Sequence, residues 1–282
     1  MSRSSNYTQR VKNITKQLLV PRGAIWCPGC PERAGFWSLK EALRKDRRNG
    51  FASGDVGCYT LDIWPYGYHV SKLLHGMGTG MGLGCGFGQL ESFGFSQPVV
   101  SVCGDSTFYH SSIPALINAI YNKSYMMVVV MDNTITAMTG LQPHPGTGYD
   151  ASGNPTPVVD IADFCQALGC KVAVMDPFDI KETTAKILEF LRDESGVRVL
   201  VLRRACELVR MRKDKKQPYK VTVNEDKCKG RKCSFCTEAF ACPGLTFGND
   251  NGKAQIVEGV CVGCGVCVDI CPPKAIIKEE AT

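Results

Sequence analysis

The placement of its sixteen cysteines limits the folds open to this chain more strongly than any other property. Eight cysteines lie between Cys228 and Cys271, whereas the other eight are widely spaced between Met1 and Arg210. A segment of only about sixty residues seldom buries enough apolar surface to fold by its hydrophobic core alone. We therefore expect the C-terminal part to fold around metal, with metal binding supplying part of its folding energy.

The second of two cysteine motifs in this part is a regular run with the sequence Cys261-x2-Cys264-x2-Cys267-x3-Cys271-Pro272. This spacing matches the run of bacterial ferredoxins, in which three cysteines bind one [4Fe–4S] cluster and the fourth binds the other cluster. Gly263 and Gly265 allow the backbone to curl and to direct its N–H groups at the sulfur atoms. The motif therefore predicts bound iron–sulfur clusters.

The first motif has wider gaps at both ends and reads Cys228-x4-Cys233-x2-Cys236-x5-Cys242-Pro243. By the crossed rule, we predict that cluster A binds Cys228, Cys233, Cys236 and Cys271. Cluster B is then predicted to bind Cys261, Cys264, Cys267 and Cys242. A zinc ribbon is the alternative, because paired Cys-x2-Cys also suits Zn²⁺, but the two Cys-Pro endings favour the clusters.

Charge and hydropathy exclude several classes of protein. The N-terminal segment is polar and basic and has no secretory core, and the longest apolar run, Met126 to Met131, is far too short to span a membrane. We therefore expect a cytoplasmic protein with reduced thiols, no disulfide framework and no membrane span. The formal net charge of +6 counts cluster thiolates as neutral, although a four-thiolate [4Fe–4S] cluster carries about −2. We expect no nucleic-acid partner.

Residues 23–206 alternate strand and helix patterns. The predicted strands are Phe51–Val56, Val99–Cys103, Met126–Met131, Lys171–Met175 and Val197–Leu202. The predicted helices are Ile113–Tyr121, Ile161–Leu168 and Ile180–Arg192, with Asp160 and Asp179 as N-caps of the last two. This order predicts an α/β fold with a doubly wound parallel sheet, in which ligands bind beyond the carboxyl ends of the strands.

Four segments follow from these patterns. We predict a basic N-terminal extension (1–22), a cofactor-binding α/β domain (23–206), a basic linker (207–222) and a small α+β two-cluster domain resembling bacterial ferredoxins (223–282). The linker prediction rests on the run RMRKDKKQPYK, which is basic, contains a proline and offers little to bury. A docking strip for an acidic partner is the alternative for this run.

Polar residues follow two of the predicted strands in the arrangement of a thiamine diphosphate (TPP) site. Gly104, Asp105 and Ser106 follow one strand, and Asn133 and Ile135 follow the next. A carboxylate, an amide oxygen and the Ile135 carbonyl are hard ligands that suit Mg²⁺ shared with a diphosphate. Gly104 allows the backbone to approach the phosphates, and Ser106 stands where such motifs usually have glycine.

A glycine-rich stretch from His75 to Gly84 precedes this site. We interpret it both as a helix packed tightly against the sheet and as a segment that approaches the cofactor, through Met77 and Gly78. Elsewhere, the Cys27-x2-Cys30 pair fits a redox dithiol, zinc or iron–sulfur. Core packing is predicted for Cys85, Cys103, Cys165 and Cys170.

Together these segments resemble the 2-oxoacid:ferredoxin oxidoreductases, and in particular the TPP-binding and ferredoxin part of the indolepyruvate:ferredoxin oxidoreductase large subunit. The resemblance runs from about Gly23 to the end of the chain and rests on the cysteine-rich tail together with CPGCPER, GDVGCYTLD, GMGTGMGLGCGFGQ, GDSTFYHSSIPALINA and MDNTITAMTGLQPHPGTG. It implies oxidative decarboxylation of a 2-oxoacid, of the aryl pyruvate type, to acyl-CoA and CO₂. Electrons pass singly through [4Fe–4S] clusters to ferredoxin or another acceptor.

The resemblance also implies further cofactors and partners. A third [4Fe–4S] cluster near the TPP would be held by Cys27, Cys30, Cys58 and Cys206. A pyrimidine-domain subunit would supply the glutamate that activates TPP, and a gamma-type subunit would complete the complex, so that this chain alone is inactive. Candidate residues of the substrate pocket are Tyr66, Tyr68, His69, His75, Gln142 and His144, and coenzyme A is expected as the acyl acceptor. The competing hypothesis is an electron-transfer subunit without TPP catalysis.

Overall fold

The computed structural model describes residues 23–248 and 251–280. The predicted extension over residues 1–22 lies outside these ranges. The larger part is built on six parallel strands in the spatial order β2-β1-β3-β4-β6-β5. Their bounds are β1 Phe51–Gly54, β2 Ser71–Leu74, β3 Val99–Gly104, β4 Met126–Asp132, β5 Lys171–Met175 and β6 Val197–Arg203. This confirms the predicted parallel α/β sheet.

Helices cover both faces of this sheet, as a doubly wound fold requires. One face packs against α1 (Pro31–Asp46) and, later in the chain, α5 (Ile180–Arg192). The other face packs against α2 (Thr79–Phe87), α3 (Ile113–Tyr121) and α4 (Ile161–Ala167). Every residue of β3 and β4 is buried, because a parallel strand with helices on both faces has no solvent side.

The predicted helix starts are correct in position and differ in capping. Asp160 caps α4, since its carboxylate accepts hydrogen bonds from the backbone N–H groups of Ala162 and Asp163 at 2.7 and 3.0 Å. Asp179 also precedes its helix, but its side chain makes no capping hydrogen bond. Sequence analysis did not predict α1 or the short strand β2.

The glycine-rich stretch forms α2, which lies very close to the sheet. Ser53 and Ser101 both donate hydrogen bonds to the carbonyl of Gly80, at 2.8 and 3.0 Å. A Cβ atom on Gly84 would lie 1.9 Å from the Ser101 hydroxyl oxygen. The absence of side chains on this face therefore sets the distance between the helix and the strands, which confirms the predicted tight packing.

The segment predicted as a linker is partly structured. It contains α6 (Glu207–Asp214) and most of β7 (Tyr219–Val223). In this helix Arg210 binds the buried carboxylate of Glu207 and also lies 3.5 Å from the carboxylate of Asp214. These ion pairs stabilise a helix that carries many charged side chains. The domain boundaries at residues 206 and 222 stay a prediction.

The C-terminal part consists of two small antiparallel sheets and short helices. Strand β7 pairs with β10 (Ile276–Glu280), and β8 (Leu245–Phe247) pairs with β9 (Ala254–Ile256). Helix α7 (Val266–Ile270) follows the second cysteine run. The predicted α+β character is confirmed. No helix within the described ranges is long and apolar enough to cross a membrane.

The two parts share one core. Phe235 and Phe240 of the C-terminal part pack edge-on against Trp37 of α1. The Tyr68 hydroxyl donates a hydrogen bond of 2.9 Å to the Phe240 carbonyl, while its ring packs between Trp26 and Trp37. Tyr68 was predicted as a pocket residue, but the structure gives it this structural role, because its hydroxyl points into the shared core.

The close packing of α2 leads to a stability prediction. Gly84→Ala overpacks the contact with Ser101 and should cost about 1–3 kcal/mol. Gly82→Ala on the same helix meets no atom within 4 Å and should be neutral or stabilise by up to about 1 kcal/mol through helix propensity. Anaerobic thermal unfolding of both variants measures the difference. Equal melting temperatures for the two would contradict the packing argument.

Candidate functional site

A cavity of about 460 Å³ opens at the carboxyl ends of β3 and β4. Its walls come from the ends of both strands, from the loop after β1, from Met77, and from Glu32 of α1. In an open α/β sheet this edge is where ligands bind, because the connections diverge there. Gly104, Asp105, Ser106, Asn133 and Ile135 all lie in its wall, so the structure brings these predicted residues together.

The polar groups of this cavity form one hydrogen-bonded unit. The Asp105 carboxylate is almost fully buried and accepts hydrogen bonds from the N–H groups of Ser106 at 2.7 Å and Ile135 at 3.2 Å. The Ile135 N–H also lies 3.3 Å from the Asn133 side-chain oxygen. The carboxylate and amide oxygens thus converge on one point. Two hard oxygen donors in a buried setting fit a magnesium ion that carries a diphosphate.

His144 lies against this unit and not in the wall of the cavity. Its Nε2 atom is 3.1 Å from Asp105 Oδ2, and its Nδ1 atom accepts a hydrogen bond from Gly146 N–H at 3.1 Å. Among the described residues, Nε2 lies beside this carboxylate without a hydrogen-bond partner. The position of His144 suits orientation of Asp105.

Glu32 is a residue that sequence analysis missed. It is 3% exposed, and its Oε1 atom accepts a hydrogen bond of 2.8 Å from the side-chain amide of Asn133. This contact fixes the amide so that its oxygen faces Asp105. Burial raises the pKa of Glu32 to about 8, and the nearby Asp105 carboxylate adds to the shift. A carboxylic acid is therefore held beside the cavity at neutral pH.

Asp55 fixes the backbone beside Met77, a residue of the cavity wall. Its carboxylate accepts a hydrogen bond of 2.9 Å from Gly78 N–H and another from the Tyr59 hydroxyl. Gly78 has φ = +82°, and a Cβ atom there would lie 2.4 Å from the Ser111 hydroxyl oxygen. Only glycine fits this position, which places Met77 over the cavity. Burial raises the pKa of Asp55 to about 6.

The remaining pocket candidates lie outside the cavity wall. Within the described ranges, Tyr66, His69, His75 and Gln142 are exposed, and none of them lines the 460 Å³ cavity. Gln142 is the nearest, since its side chain donates to the carbonyl of Thr139, a wall residue, at 2.9 Å. Their role in binding substrate stays a prediction.

The four cysteines of the predicted third cluster lie around the same edge of the sheet. Cys206 N–H donates a hydrogen bond of 2.9 Å to the Asn133 carbonyl, and Cys58 is part of the cavity wall. Burial, followed by the charges of Glu32, Cys206 and Cys27, raises the pKa of the Cys58 thiol. Burial likewise raises the pKa of Cys30, with contributions from Glu32 and Cys58. The thiols are therefore close enough to influence one another electrostatically.

The eight C-terminal cysteines line two separate cavities. Cavity A, of about 340 Å³, is lined by Cys228, Cys233, Cys236 and Cys271. Cavity B, of about 470 Å³, is lined by Cys242, Cys261, Cys264 and Cys267. Each cavity thus takes three cysteines from one motif and one from the other, which is the crossed grouping predicted from the spacing.

Backbone N–H groups point at these sulfur atoms, as cluster ligands require. Cys228 Sγ lies 3.4 Å from the nitrogens of Gly230 and Ala254, and Cys271 Sγ lies 3.3 Å from the nitrogen of Ala275. Gly263 donates to Cys261 Sγ at 3.5 Å with φ = +67°. N–H groups directed at sulfur are typical of cluster ligands, so both cavities fit a [4Fe–4S] cluster.

Comparison with known proteins places this geometry in a family. The profile of the thiamine pyrophosphate enzyme C-terminal TPP-binding domain matches residues 55–202, and a 4Fe-4S binding domain matches residues 254–277. The chain belongs to the family of thiamine pyrophosphate enzymes that carry this C-terminal TPP-binding domain. A solved 2-oxoglutarate:ferredoxin oxidoreductase from Magnetococcus marinus shares the fold, with a TM-score of 0.55 and 20% identity over 66% of this chain and 65% of that chain.

The chain is also similar in sequence to named proteins over most of its length. The chain is 40% identical over 276 residues to the indolepyruvate oxidoreductase subunit IorA of Pyrococcus horikoshii, covering 93% of this chain and 42% of that protein. It is 38% identical to IorA of Methanothermobacter marburgensis, with 95% and 42% covered. The chain therefore spans about two fifths of the length of these relatives. The predicted family resemblance is confirmed.

The crossed grouping of cysteines leads to a spectroscopic prediction. Cys271→Ser should disturb the cluster in cavity A, although Cys271 lies in the second motif. Cys242→Ser should disturb the cluster in cavity B, because the ligand sets are exchanged between motifs. Electron paramagnetic resonance of the reduced variants, with iron and sulfide analysis, distinguishes the two signals. Loss of the same signal in Cys271→Ser and Cys267→Ser would contradict the grouping.

Proposed function

We propose that this chain is the TPP- and iron–sulfur-carrying subunit of a multi-subunit 2-oxoacid oxidoreductase. Its reaction would be oxidative decarboxylation of an aryl pyruvate such as indolepyruvate to acyl-CoA and CO₂, with ferredoxin or another carrier accepting the electrons. The proposal rests on one observation, namely that the cavity at the strand ends and a cysteine-lined cavity lie on either side of the same helix start. The TPP-domain cavity and cavity B are both bordered by the few residues at the start of α1.

The chain's own residues would bind and orient the cofactor. Asp105, Asn133 and the Ile135 carbonyl are proposed to hold Mg²⁺, with Gly104, Ser106, Met77 and Gly78 around the diphosphate and ring. Glu32 and His144 keep the two ligand side chains in their orientations through the contacts at 2.8 and 3.1 Å. When bound, TPP supplies the carbanion chemistry that decarboxylation of a 2-oxoacid needs.

Electron transfer is proposed to pass through the cysteine sets one after another. Cavity B is lined by Pro28, Gly29 and Cys30 of the TPP-binding part, whereas cavity A is lined only by residues of the C-terminal part. Cluster B is therefore proposed as the entry point from the TPP site and cluster A as the exit. The third cluster, on Cys27, Cys30, Cys58 and Cys206, is proposed between TPP and cluster B.

Further subunits complete the proposed enzyme. TPP enzymes need a pyrimidine-binding domain with an activating glutamate, which we assign to a partner subunit, together with a gamma-type subunit. Indolepyruvate as substrate follows the names of the relatives, and coenzyme A follows the ligands of the 2-oxoglutarate:ferredoxin oxidoreductase structure. Reduced thiols on exposed and half-buried cysteines fit the cytoplasm.

Anaerobic viologen reduction by the native complex, purified through a tag on this chain, tests the proposal. Reduction that depends on both an aryl pyruvate and coenzyme A is expected. Asp105→Asn should lose this activity while retaining its iron and sulfide, because a neutral amide weakens the magnesium site without touching a cysteine. Tyr121→Ser, which changes a surface residue 83% exposed, serves as the control and should keep the activity.

Two results would overturn the proposal. No reduction with any 2-oxoacid, despite intact clusters and a co-purified pyrimidine-domain partner, would leave an electron-transfer subunit without TPP catalysis. Release of an aldehyde without any need for coenzyme A or an acceptor would indicate a non-oxidative TPP decarboxylase.

A further inference from the structure

Arg33 is a charged side chain that lies in the shared core without a charged partner. It belongs to the first turn of α1 and is 2% exposed. Its guanidinium donates to the carbonyls of Phe240 at 3.0 Å, Ala241 at 2.5 Å and Trp26. Its buried Nε atom has no hydrogen-bond partner within the part of the chain that the structure describes. Arginine side chains carry a positive charge in proteins.

The surroundings of this cation are neutral. The guanidinium carbon lies 5.6 and 5.8 Å from the ring centres of Trp26 and Phe240. Across residues 23–248 and 251–280, no aspartate or glutamate forms an ion pair with Arg33. The two nearby acids have other partners, since Glu207 binds Arg210 and Glu32 binds Asn133.

A buried, uncompensated charge is costly, by several kcal/mol even after the protein relaxes. Backbone carbonyls offset part of this cost, but they do not neutralise the charge. Arg33 lines cavity B together with Cys242, Cys261, Cys264 and Cys267. Two of its acceptor carbonyls also belong to the residues directly before Cys242. A net-negative cluster in cavity B would supply the missing anion.

We propose that Arg33 is the built-in counter-ion of the iron–sulfur cluster in cavity B, and that its charge raises the reduction potential of this cluster above the value that the cysteines alone would give. The proposal rests on the proposed function, because it assumes a cluster in that cavity. A four-thiolate [4Fe–4S] cluster is net negative and becomes more so on reduction, so a nearby buried cation favours the reduced form. The cluster nearest the TPP-binding part thereby becomes the better electron acceptor.

This inference gives α1 a second role. Its first turn presents Glu32 to Asn133 at the strand ends and Arg33 to cavity B, so one helix start contributes a side chain to both sites. Among the described residues, the one cationic side chain that lines cavity A is Lys229, and it is exposed, whereas Arg33 is buried. Arg231, which stacks 4.7 Å from the Phe247 ring at cavity A, is exposed to solvent. Water screens its charge.

Potentiometric titration of the anaerobic complex, followed by electron paramagnetic resonance, tests the proposal without TPP or 2-oxoacid. Arg33→Met should lower the midpoint potential of the cluster in cavity B and leave that of the cluster in cavity A unchanged. Arg33→Lys retains the charge and should restore most of the potential. Arg231→Met is the matched control and should shift neither cluster.

Several outcomes would overturn the proposal. An unchanged potential in Arg33→Met with full iron and sulfide content would show that the charge does not act on the cluster. An equal drop in Arg33→Lys and Arg33→Met would assign the effect to lost carbonyl contacts. If Arg33→Met does not fold, Arg33→Gln removes the charge and keeps a hydrogen-bond donor: a lowered midpoint potential of the cluster in cavity B then supports the proposal, and an unchanged potential contradicts it. A wild-type complex with no cluster in cavity B would instead refute the cluster assignment of the proposed function.

Discussion

Both halves of this chain depend on the contacts that the first turn of helix α1 makes. Within four residues it provides Cys30 and Arg33 to cavity B and Glu32 to the cavity at the strand ends. The same turn is anchored by carbonyls from both sides, Trp26 before it and Phe240 and Ala241 in the C-terminal part. A shift of this turn would therefore move the cofactor site and the cluster site together.

Burial determines the chemistry of the cysteines. It raises the pKa of Cys242, Cys264 and Cys267, so that without metal their thiols stay protonated at neutral pH. Only a bound cation makes the thiolate favourable in such a setting, which couples cluster assembly to the folding of this small part. The same desolvation keeps Glu32 protonated. One physical effect, desolvation, thus keeps the acidic groups of both sites protonated when no metal is bound.

The sequence predicted the strands and the cysteine grouping, because these depend on local periodicity and on residue spacing. Strands β3 to β6 are apolar runs, and the cysteine spacing alone predicted the crossed cavities. Helix α1 was missed because Glu32, Arg33 and Ser38 are buried on it, which removes the amphipathic pattern. Strand β2 is a four-residue edge strand with no alternation. The glutamate and arginine of CPGCPER look like an exposed pair in sequence, and only tertiary contacts reveal that they face different sites.

The central claim is that the cavity at the strand ends and the two cysteine cavities form one electron path. Freeze-quenched electron paramagnetic resonance, after rapid anaerobic mixing of the complex with an aryl pyruvate and coenzyme A, tests it most directly. We expect the cluster signals of cavities A and B to appear within a single turnover and to be absent in Asp105→Asn. Clusters that stay oxidised after the 2-oxoacid has been decarboxylated would contradict the account.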